Sequence, residues 1–164
     1  MRMIVASSSK HGATEGIAEA IAERLRHLGN DVAAVRVGDV DSLDGVEAVV
    51  LGSAIYAGSW MKEATGFAEA NAEVLSAMPV WLFSSGPLGT DVHDDEEQPQ
   101  QLAELTEMLH PREHRTFFGA LDHSKLGFGE RMMVKAVKAP EGDFRDWAAI
   151  SGWADEIAQD LADR

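Results

Sequence analysis

The stretch Met3-Ile-Val-Ala-Ser-Ser-Ser-Lys-His-Gly-Ala-Thr-Glu-Gly16 decides the fold of this chain. It opens with four apolar residues, continues with three serines, and reaches Gly12 and Thr14 just before apolar residues recur at helical spacing. The recurring residues are Ile17, Ile21, Leu25 and Leu28. This order predicts a buried strand, a loop of small residues and the N-terminus of an amphipathic helix. Because hydroxyl and backbone N–H groups converge at the positive end of a helix dipole, the stretch predicts a phosphate-binding loop.

Two common phosphate loops do not match this pattern. A P-loop ends in Gly-Lys-Ser/Thr, and no Gly-Lys pair occurs in the chain. The dinucleotide fingerprint needs three glycines in the first turn, whereas here Gly12 is followed only by Gly16, inside the predicted helix. We therefore predict a loop of the form hydroxyl-x-x-Gly-x-Thr, with phosphate contacts from Ser9, Lys10, His11, Gly12, Ala13 and Thr14. The alternative interpretation is a polar turn that binds no ligand.

The length, composition and net charge of the chain exclude several classes of protein and of functional site. With 164 residues and 45% hydrophobic content, we expect one soluble globular domain over residues 1–164. The absence of cysteine excludes disulfides, thiolate metal sites and cysteine nucleophiles. A net charge of −14 argues against a nucleic-acid binder and suits an electron carrier that attracts basic partners, although a merely solvated acidic surface has the same charge. No signal peptide or membrane-spanning run is recognisable, so we expect a cytoplasmic protein. The sequence makes no prediction about the oligomeric state.

Short apolar runs alternate with helical patterns along the chain. Strands are predicted over residues 3–6, 31–37, 46–51, 80–83 and 116–120, and further helices over residues 62–77, 102–109 and 147–161. This alternation predicts the α/β class, with a doubly wound parallel sheet. The apolar faces of the second and last helices are expected to contain Phe67, Ala70, Val74, Leu75, Trp147, Ile150, Ala154, Ile157 and Leu161.

Three of the predicted strands end in loops rich in serine and glycine, and in a parallel sheet such ends meet at one edge, where ligands bind. The second loop contains Ala54, Ile55, Tyr56, Ala57, Gly58 and Trp60. Its aromatic rings suit a flat heteroaromatic ligand, with Tyr56 as the first choice for stacking and Trp60 as the second, unless both cap the core. The third loop offers backbone donors and acceptors to a ring edge through Ser84, Ser85, Gly86, Pro87, Leu88 and Gly89.

Three such loops, in this order and on this strand spacing, resemble the flavodoxin superfamily over the whole chain. The first loop is similar to the T-x-T-G-x-T loop that wraps the phosphate of FMN in that superfamily, with His11 in place of the second Thr. Ala57-Gly58 resembles the peptide that reorients to hydrogen-bond the reduced flavin. The resemblance implies a five-stranded parallel sheet of order 2-1-3-4-5 with helices on both faces. It also implies FMN at the three loops, with the flavin supplying the redox chemistry.

One branch of the superfamily, the menaquinone-dependent protoporphyrinogen dehydrogenases, is more similar still. Residues 51–58, 118–121 and 130–135 resemble its motifs G-A-S-I-R-Y-G, G-A-L and R-F-M-I-K. This resemblance implies an FMN-dependent oxidoreductase that passes electrons from protoporphyrinogen, or another reductant, to a quinone. The alternative is a soluble flavodoxin-like carrier that moves electrons between redox partner proteins. A third interpretation is an interaction module that binds no flavin.

Other enzyme classes lack the residues they require. A phosphorylated receiver domain needs an aspartate at the end of strand three, where this chain has Leu51-Gly-Ser53. A serine hydrolase needs the elbow G-x-S-x-G, which does not occur. His110 and His114 have the spacing of a metal pair, but Pro111 lies between them, so we predict solvent-facing turn residues and no metal site. No side chain stands out as an acid–base catalyst.

Residues 125–138 form an unusual segment in an acidic chain. Residues 121–140 contain four basic and two acidic side chains, a local charge of +2, interleaved with apolar ones. The basic residues are Lys125, Arg131, Lys135 and Lys138, and the apolar ones include Phe128, Met132, Met133, Val134 and Val137. The pattern predicts a basic amphipathic helix that contacts the inner face of a membrane or an acidic partner. The alternative is a connection packed in the core.

Overall fold

The fold rests on a parallel β-sheet with helices on both faces. The computed structural model describes residues 1–56, 58–86, 100–121 and 142–163. The strands are β1 Arg2–Ser8, β2 Asp31–Arg36, β3 Ala48–Tyr56, β4 Ser59–Trp60, β5 Val80–Ser85, β6 Glu113–Phe117, β7 Ala120–Leu121 and β8 Gly142–Asp143. The helices are α1 Ala13–His27, α2 Lys62–Ala70, α3 Ala72–Ser76, α4 Gln100–Leu109 and α5 Trp147–Ala162, with one 3-10 turn at Val37–Asp39.

The strand order of the sheet is β2-β1-β3-β5-β6, and these five strands are parallel. Counted among parallel strands alone, this is the predicted order 2-1-3-4-5, so the predicted fold class is confirmed. In addition, β4 pairs antiparallel with the end of β3, where Ile55 faces Trp60. Among the described residues, no helix has the length and apolar character needed to cross a bilayer.

The apolar core consists of two layers, one on each face of the sheet. Side chains of β1 alternate between them: Met3 and Val5 pack with α1 and α5, while Ile4 and Ala6 pack with α2, α3 and α4. This alternation follows from the period of two along a strand. On the first face, an aromatic cluster of Phe83, Phe117 and Trp153 has ring centroids 5.6–6.2 Å apart.

Several helical predictions were wrong in detail. The helix predicted over residues 62–77 is interrupted at Asn71, whose side-chain amide donates to the carbonyl of Phe67 at 2.9 Å. Ala70, in α2 before the break, is exposed, and Val74, after it, is 46% exposed, while Ala64 and Ala68 are buried instead. Two other residues assigned to apolar stripes, Leu28 and Trp147, are 42% and 44% exposed because each lies at a helix end.

The strands differ from the predicted ranges mostly at their carboxyl ends. β1, β3 and β5 extend through serines that were assigned to loops, and β3 continues as far as Tyr56. The predicted loop over residues 54–60 is therefore largely a β-hairpin. β6 covers Glu113–Phe117, earlier than the strand predicted over residues 116–120. Hydroxyl side chains do not end a strand when backbone pairing with both neighbours continues.

Candidate functional site

The carboxyl ends of four strands carry one row of hydroxyl side chains. Ser8 pairs in register with Ser53, Ser53 with Ser84, and Ser84 with Thr116. We call these four residues the hydroxyl row. Partners in register point to the same face of a parallel sheet, and here the three serines are buried. The row follows from the register, which the separate sequence runs do not reveal.

The first predicted loop forms a tight turn into α1. The backbone N–H of Gly12 donates to Ser9 Oγ at 3.0 Å, and the N–H of Gly16 donates to the carbonyl of Gly12 at 3.1 Å. Gly12 is the N-cap of α1 in the left-handed conformation, with φ of +88°, where glycine avoids the strain of a Cβ atom. Because glycine has no side chain, Gly12 makes no side-chain cap to the first-turn N–H groups of α1.

The remaining residues of this loop divide between helix and surface. Ala13 and Thr14 belong to the first turn of α1, and Thr14 is 1% exposed. His11 is partly buried and Lys10 is exposed. In the hydroxyl row just before the loop, Ser8 Oγ is buried and has no hydrogen-bond partner within the described protein. A buried hydroxyl in this state leaves a polar group unsatisfied by the described residues, which is costly unless another partner is present.

The structure brings the first and second loops together through Lys10 and Tyr56. Lys10 Nζ donates to the phenol oxygen of Tyr56 at 3.2 Å and lies 4.2 Å from the centroid of the same ring. Tyr56 is the last residue of β3 and is partly buried, so its ring stands at the edge of the sheet. Gly58, with φ of +78°, is exposed in the turn of the hairpin, and no described atom lies within 4 Å of the place that a Cβ atom would take. Ala57 lies outside the described residues.

Trp60 and Tyr56 occupy different environments. Trp60 is 3% exposed and belongs to the core layer formed with α2, α3 and α4. Its indole N–H donates to Ser84 Oγ at 2.8 Å, while Ser53 Oγ accepts from the backbone N–H of Met61 at 2.9 Å. These two bonds attach the β3–β4 hairpin to the sheet. Trp60 thus has the core-capping position that was the alternative for both rings, and Tyr56 is the aromatic residue at the surface.

The described part of the third loop packs closely against the second. Ser84 and Ser85 are buried at the end of β5, and Gly86 donates its N–H to the carbonyl of Phe117 at 3.0 Å. A Cβ atom on Gly86, where φ is +140°, would lie 3.4 Å from the carbonyl oxygen of Ile55. Ile55 is partly buried in β3, next to Ala54, which pairs with Ser85. Pro87, Leu88 and Gly89 lie outside the described residues.

His114 was misjudged from the sequence. It lies inside β6 and is partly buried, rather than in a solvent-facing turn. Its Nε2 atom is 2.8 Å from Ser84 Oγ, so Trp60, Ser84 and His114 form a continuous chain of hydrogen bonds. Burial lowers the pKa of His114 below its ordinary value of 6.5, and the charge of Glu113 opposes this only in part. A neutral imidazole can accept a hydrogen bond from the hydroxyl of Ser84, whose oxygen accepts one from Trp60. His110, at φ of +49°, is exposed, as predicted.

Arg145 is a second residue that sequence patterns did not single out. Two nitrogens of its guanidinium donate to the two carboxylate oxygens of Asp143, at 2.9 and 2.6 Å, and its third nitrogen donates to the carbonyl of Ala13 at 3.3 Å. The bonds between Arg145 and Asp143 raise the pKa of Arg145 and lower that of Asp143. The guanidinium lies 4.6 Å from the ring centroid of Trp147. It therefore connects the start of α5 to the first turn of α1.

Two cavities lie apart from the three loops. One, of about 410 Å³, is lined by Trp81, Arg112, Glu113, Glu156 and Asp160. The other, of about 290 Å³, lies between α1 and β2 and includes the ion pair of Glu15 and Arg36. Charged side chains make up four of the five lining residues of the first cavity and four of the eight of the second, and some are paired to each other. Such linings suit a flat apolar ring poorly.

The order of parallel strands, together with the glycine-capped loop before α1, agrees with a direct match to a known family. The Flavodoxin domain family matches residues 4–147. This chain belongs to the flavodoxin domain family. No curated protein matches the chain.

Solved flavodoxins share the fold of this family member at low identity. A flavodoxin from Archaea is 21% identical with a TM-score of 0.55, over 94% of this chain and 99% of the other. The flavodoxin of Megasphaera elsdenii is 22% identical with a TM-score of 0.57, over 85% of this chain and 100% of the other. The rubredoxin oxygen:oxidoreductase of Desulfovibrio gigas is 15% identical with a TM-score of 0.67, over 98% of this chain and 36% of the other. The present chain thus corresponds to about a third of that longer protein.

Proposed function

We propose that this protein binds FMN at the carboxyl edge of its sheet and serves as an electron carrier between redox partner proteins. The observation that carries the proposal is the meeting of three loops, in which Lys10 of the phosphate loop contacts Tyr56 and Gly86 packs on Ile55. Family membership supports it, and the Megasphaera elsdenii flavodoxin was solved in a two-electron reduced state. The negative charge of the chain, −14, suits attraction to basic partners.

The described residues fit such a ligand. Gly12 leaves the N-terminus of α1 without a side-chain cap, so its N–H groups and Ser9 and Thr14 suit the phosphate. The buried hydroxyl of Ser8 has no hydrogen-bond partner among the described residues, so it could bond to a polar group of a ligand at the same edge. These features agree with a phosphate-bearing ligand better than with a polar turn that binds nothing.

The chain would hold the cofactor while the cofactor does the redox chemistry. FMN supplies electron transfer in steps of one or two electrons. Tyr56 would cover one face of the ring, and the backbone of Ser85 and Gly86 would meet its polar edge. Trp60 and Ser84 would hold the hairpin that carries Tyr56 through the 2.8 Å bond between them.

Absorbance and fluorescence titration of the purified, reconstituted protein with FMN tests this proposal. We expect about one FMN per chain and quenching of flavin fluorescence by the stacked ring. Riboflavin, which lacks the phosphate, should bind more weakly because it forgoes the first loop. Absence of affinity at high FMN concentration would contradict the proposal and favour an interaction module without flavin.

A second candidate is an FMN-dependent dehydrogenase that passes electrons from protoporphyrinogen or another reductant to a quinone. The resemblance of residues 51–58 and 118–121 to the protoporphyrinogen dehydrogenases favours it. Within the latter range, a Cβ atom on Gly119 would lie 3.2 Å from Gly86 Cα, so this segment packs directly on the third loop. The basic segment 125–138, proposed to meet an anionic membrane surface, lies outside the described residues.

Anaerobic turnover of protoporphyrinogen with menaquinone distinguishes the two candidates. The dehydrogenase should oxidise porphyrinogen only when a quinone is present, and it should sediment with anionic vesicles at low salt. Each basic residue near such a surface contributes on the order of 1 kcal/mol, so replacing Lys125, Arg131, Lys135 and Lys138 by Gln should abolish sedimentation. A protein that binds FMN yet shows neither turnover nor vesicle binding is the electron carrier.

A further inference from the structure

We propose that Arg145 is a positioning residue of the phosphate loop and that it gives the site its preference for a phosphorylated flavin. The proposal rests on the proposed function, since it concerns the same site. Its basis is the contact between Arg145 and the first turn of α1, a contact that crosses 132 residues of chain. Neither the family motif nor the spacing of residues 9–14 includes an arginine this far along the chain.

Arg145 is held rigidly before it reaches the loop. Its Nε and Nη2 atoms bind the two oxygens of Asp143 side by side, at 2.9 and 2.6 Å, and its own backbone N–H donates to the same carboxylate at 3.1 Å. The ring of Trp147 lies beside the guanidinium at 4.6 Å. A planar guanidinium held on one edge by a carboxylate has a fixed opposite edge, which here carries the nitrogen Nη1.

The Nη1 edge contacts α1 at the residue where the phosphate loop continues into the helix. Nη1 donates to the carbonyl of Ala13 at 3.3 Å, and a Cβ atom placed on Gly16 would lie only 2.6 Å from it. The absence of a side chain at Gly16 therefore lets the guanidinium lie against the helix. Ala13 directly follows Gly12, whose left-handed conformation directs the first-turn N–H groups, so Arg145 acts through Ala13 on those groups.

The charge arrangement favours an anion at the loop as well. Asp143 binds the Nε/Nη2 edge of the guanidinium, while the Nη1 edge, nearer α1, carries N–H donors. The ion pair of Arg145 and Asp143 therefore turns its positive guanidinium towards the N-terminus of α1. A positive group close to that end adds to the helix dipole in attracting a phosphate dianion. Riboflavin has the same ring system without that charge, so it does not gain from Arg145.

The test compares FMN with riboflavin across matched variants by isothermal titration of the apoprotein. For Arg145→Gln, we expect the FMN dissociation constant to rise about fivefold or more and the riboflavin constant to change less than about twofold. Arg145→Lys should recover part of the loss by charge alone. Gly16→Ala should imitate Arg145→Gln by displacing the guanidinium. The matched control is Arg24→Gln, which removes a 2.6 Å ion pair to Asp155 that also joins α1 to α5, but at the far end of α1.

The outcomes separate this proposal from the proposed function. Equal losses for FMN and riboflavin, or a loss in the Arg24→Gln control as large as in Arg145→Gln, would overturn the positioning role. If the wild-type protein binds neither flavin, the proposed function fails, and inorganic phosphate followed by the amide NMR shifts of Gly12, Ala13 and Thr14 then decides the role of Arg145. Shifts that shrink in Arg145→Gln would support it, and absent or unchanged shifts would overturn it. Far-UV circular dichroism of each variant checks that the fold is kept.

Discussion

Two strand ends of the same sheet use the same residue type in opposite ways. After β1, Ser9 accepts a hydrogen bond from the backbone of Gly12 in a turn next to exposed residues. At the end of β5, Ser84 is fully buried and joins Trp60 to His114 through two 2.8 Å hydrogen bonds. The first strand end forms the turn into α1, whereas the second holds the hairpin of Tyr56 in place. Serine after a strand thus indicates a loop in one case and a core contact in the other.

The largest expected difference between the two strand ends concerns stability. Trp60→Ala removes a buried indole and leaves Ser84 short of one donor, so it should lower the free energy of unfolding by about 3–5 kcal/mol. The control, Trp147→Ala, removes a ring that is 44% exposed and should cost less, about 1–2 kcal/mol. Chemical denaturation of both variants measures the difference. Similar losses would mean that the hairpin is not anchored through Trp60.

A smaller effect, confined to binding, is expected at the surface ring of the hairpin. If Tyr56 stacks on the flavin, Tyr56→Ala should raise the FMN dissociation constant about 5- to 30-fold, through a loss of about 1–2 kcal/mol. Quenching of flavin fluorescence should weaken in parallel. Tyr56→Phe is the matched control, because it keeps the ring and loses only the contact of the hydroxyl with Lys10. An unchanged affinity in Tyr56→Ala would remove this residue from the site.

The smallest effect is a pH dependence from His114. Its pKa is lowered by burial, so the unfolded chain binds a proton more readily than the folded one. Stability should therefore fall as the pH drops below about 6.5, by at most about 1.4 kcal/mol per pH unit, and should be fully present above it. His114→Gln should flatten this part of the profile, measured by urea denaturation between about pH 5 and 8. The exposed His27→Gln variant is the control, and an identical profile in both would contradict the role of His114.

Much of the fold could be predicted because strongly apolar runs report burial directly. Residues 3–6, 80–83 and all but the first two of 46–51 lie in strands of the observed sheet, and the resemblance to the flavodoxin superfamily implied the order of those strands. The break at Asn71 could not be predicted, because an asparagine amide competes with the helix only through a specific contact, here the carbonyl of Phe67. For the same reason the exposure of Val74 was missed.

The candidate site, like the fold, could be predicted from the sequence only in part. The phosphate loop and Tyr56 could be proposed from sequence because glycine, hydroxyl and aromatic residues follow strands within a few positions of each other. Trp60 and Tyr56, four residues apart, differ because Ile55 pairs with Trp60 in the hairpin and so directs the indole towards Ser84. That pairing is a property of the folded chain.

By itself, the sequence determined the α/β class and the positions of the loops that follow the strands, since these depend on the local hydrophobic period. The strand order was implied by the resemblance to the flavodoxin superfamily. Only the tertiary structure decided which hydroxyls form a buried row, that His114 bonds to Ser84, and that Arg145 lies against Gly16. The physical reason is distance along the chain. His114 lies 30 residues from Ser84 and Arg145 lies 132 from Ala13, so only the packed sheet and helices bring them into hydrogen-bonding range.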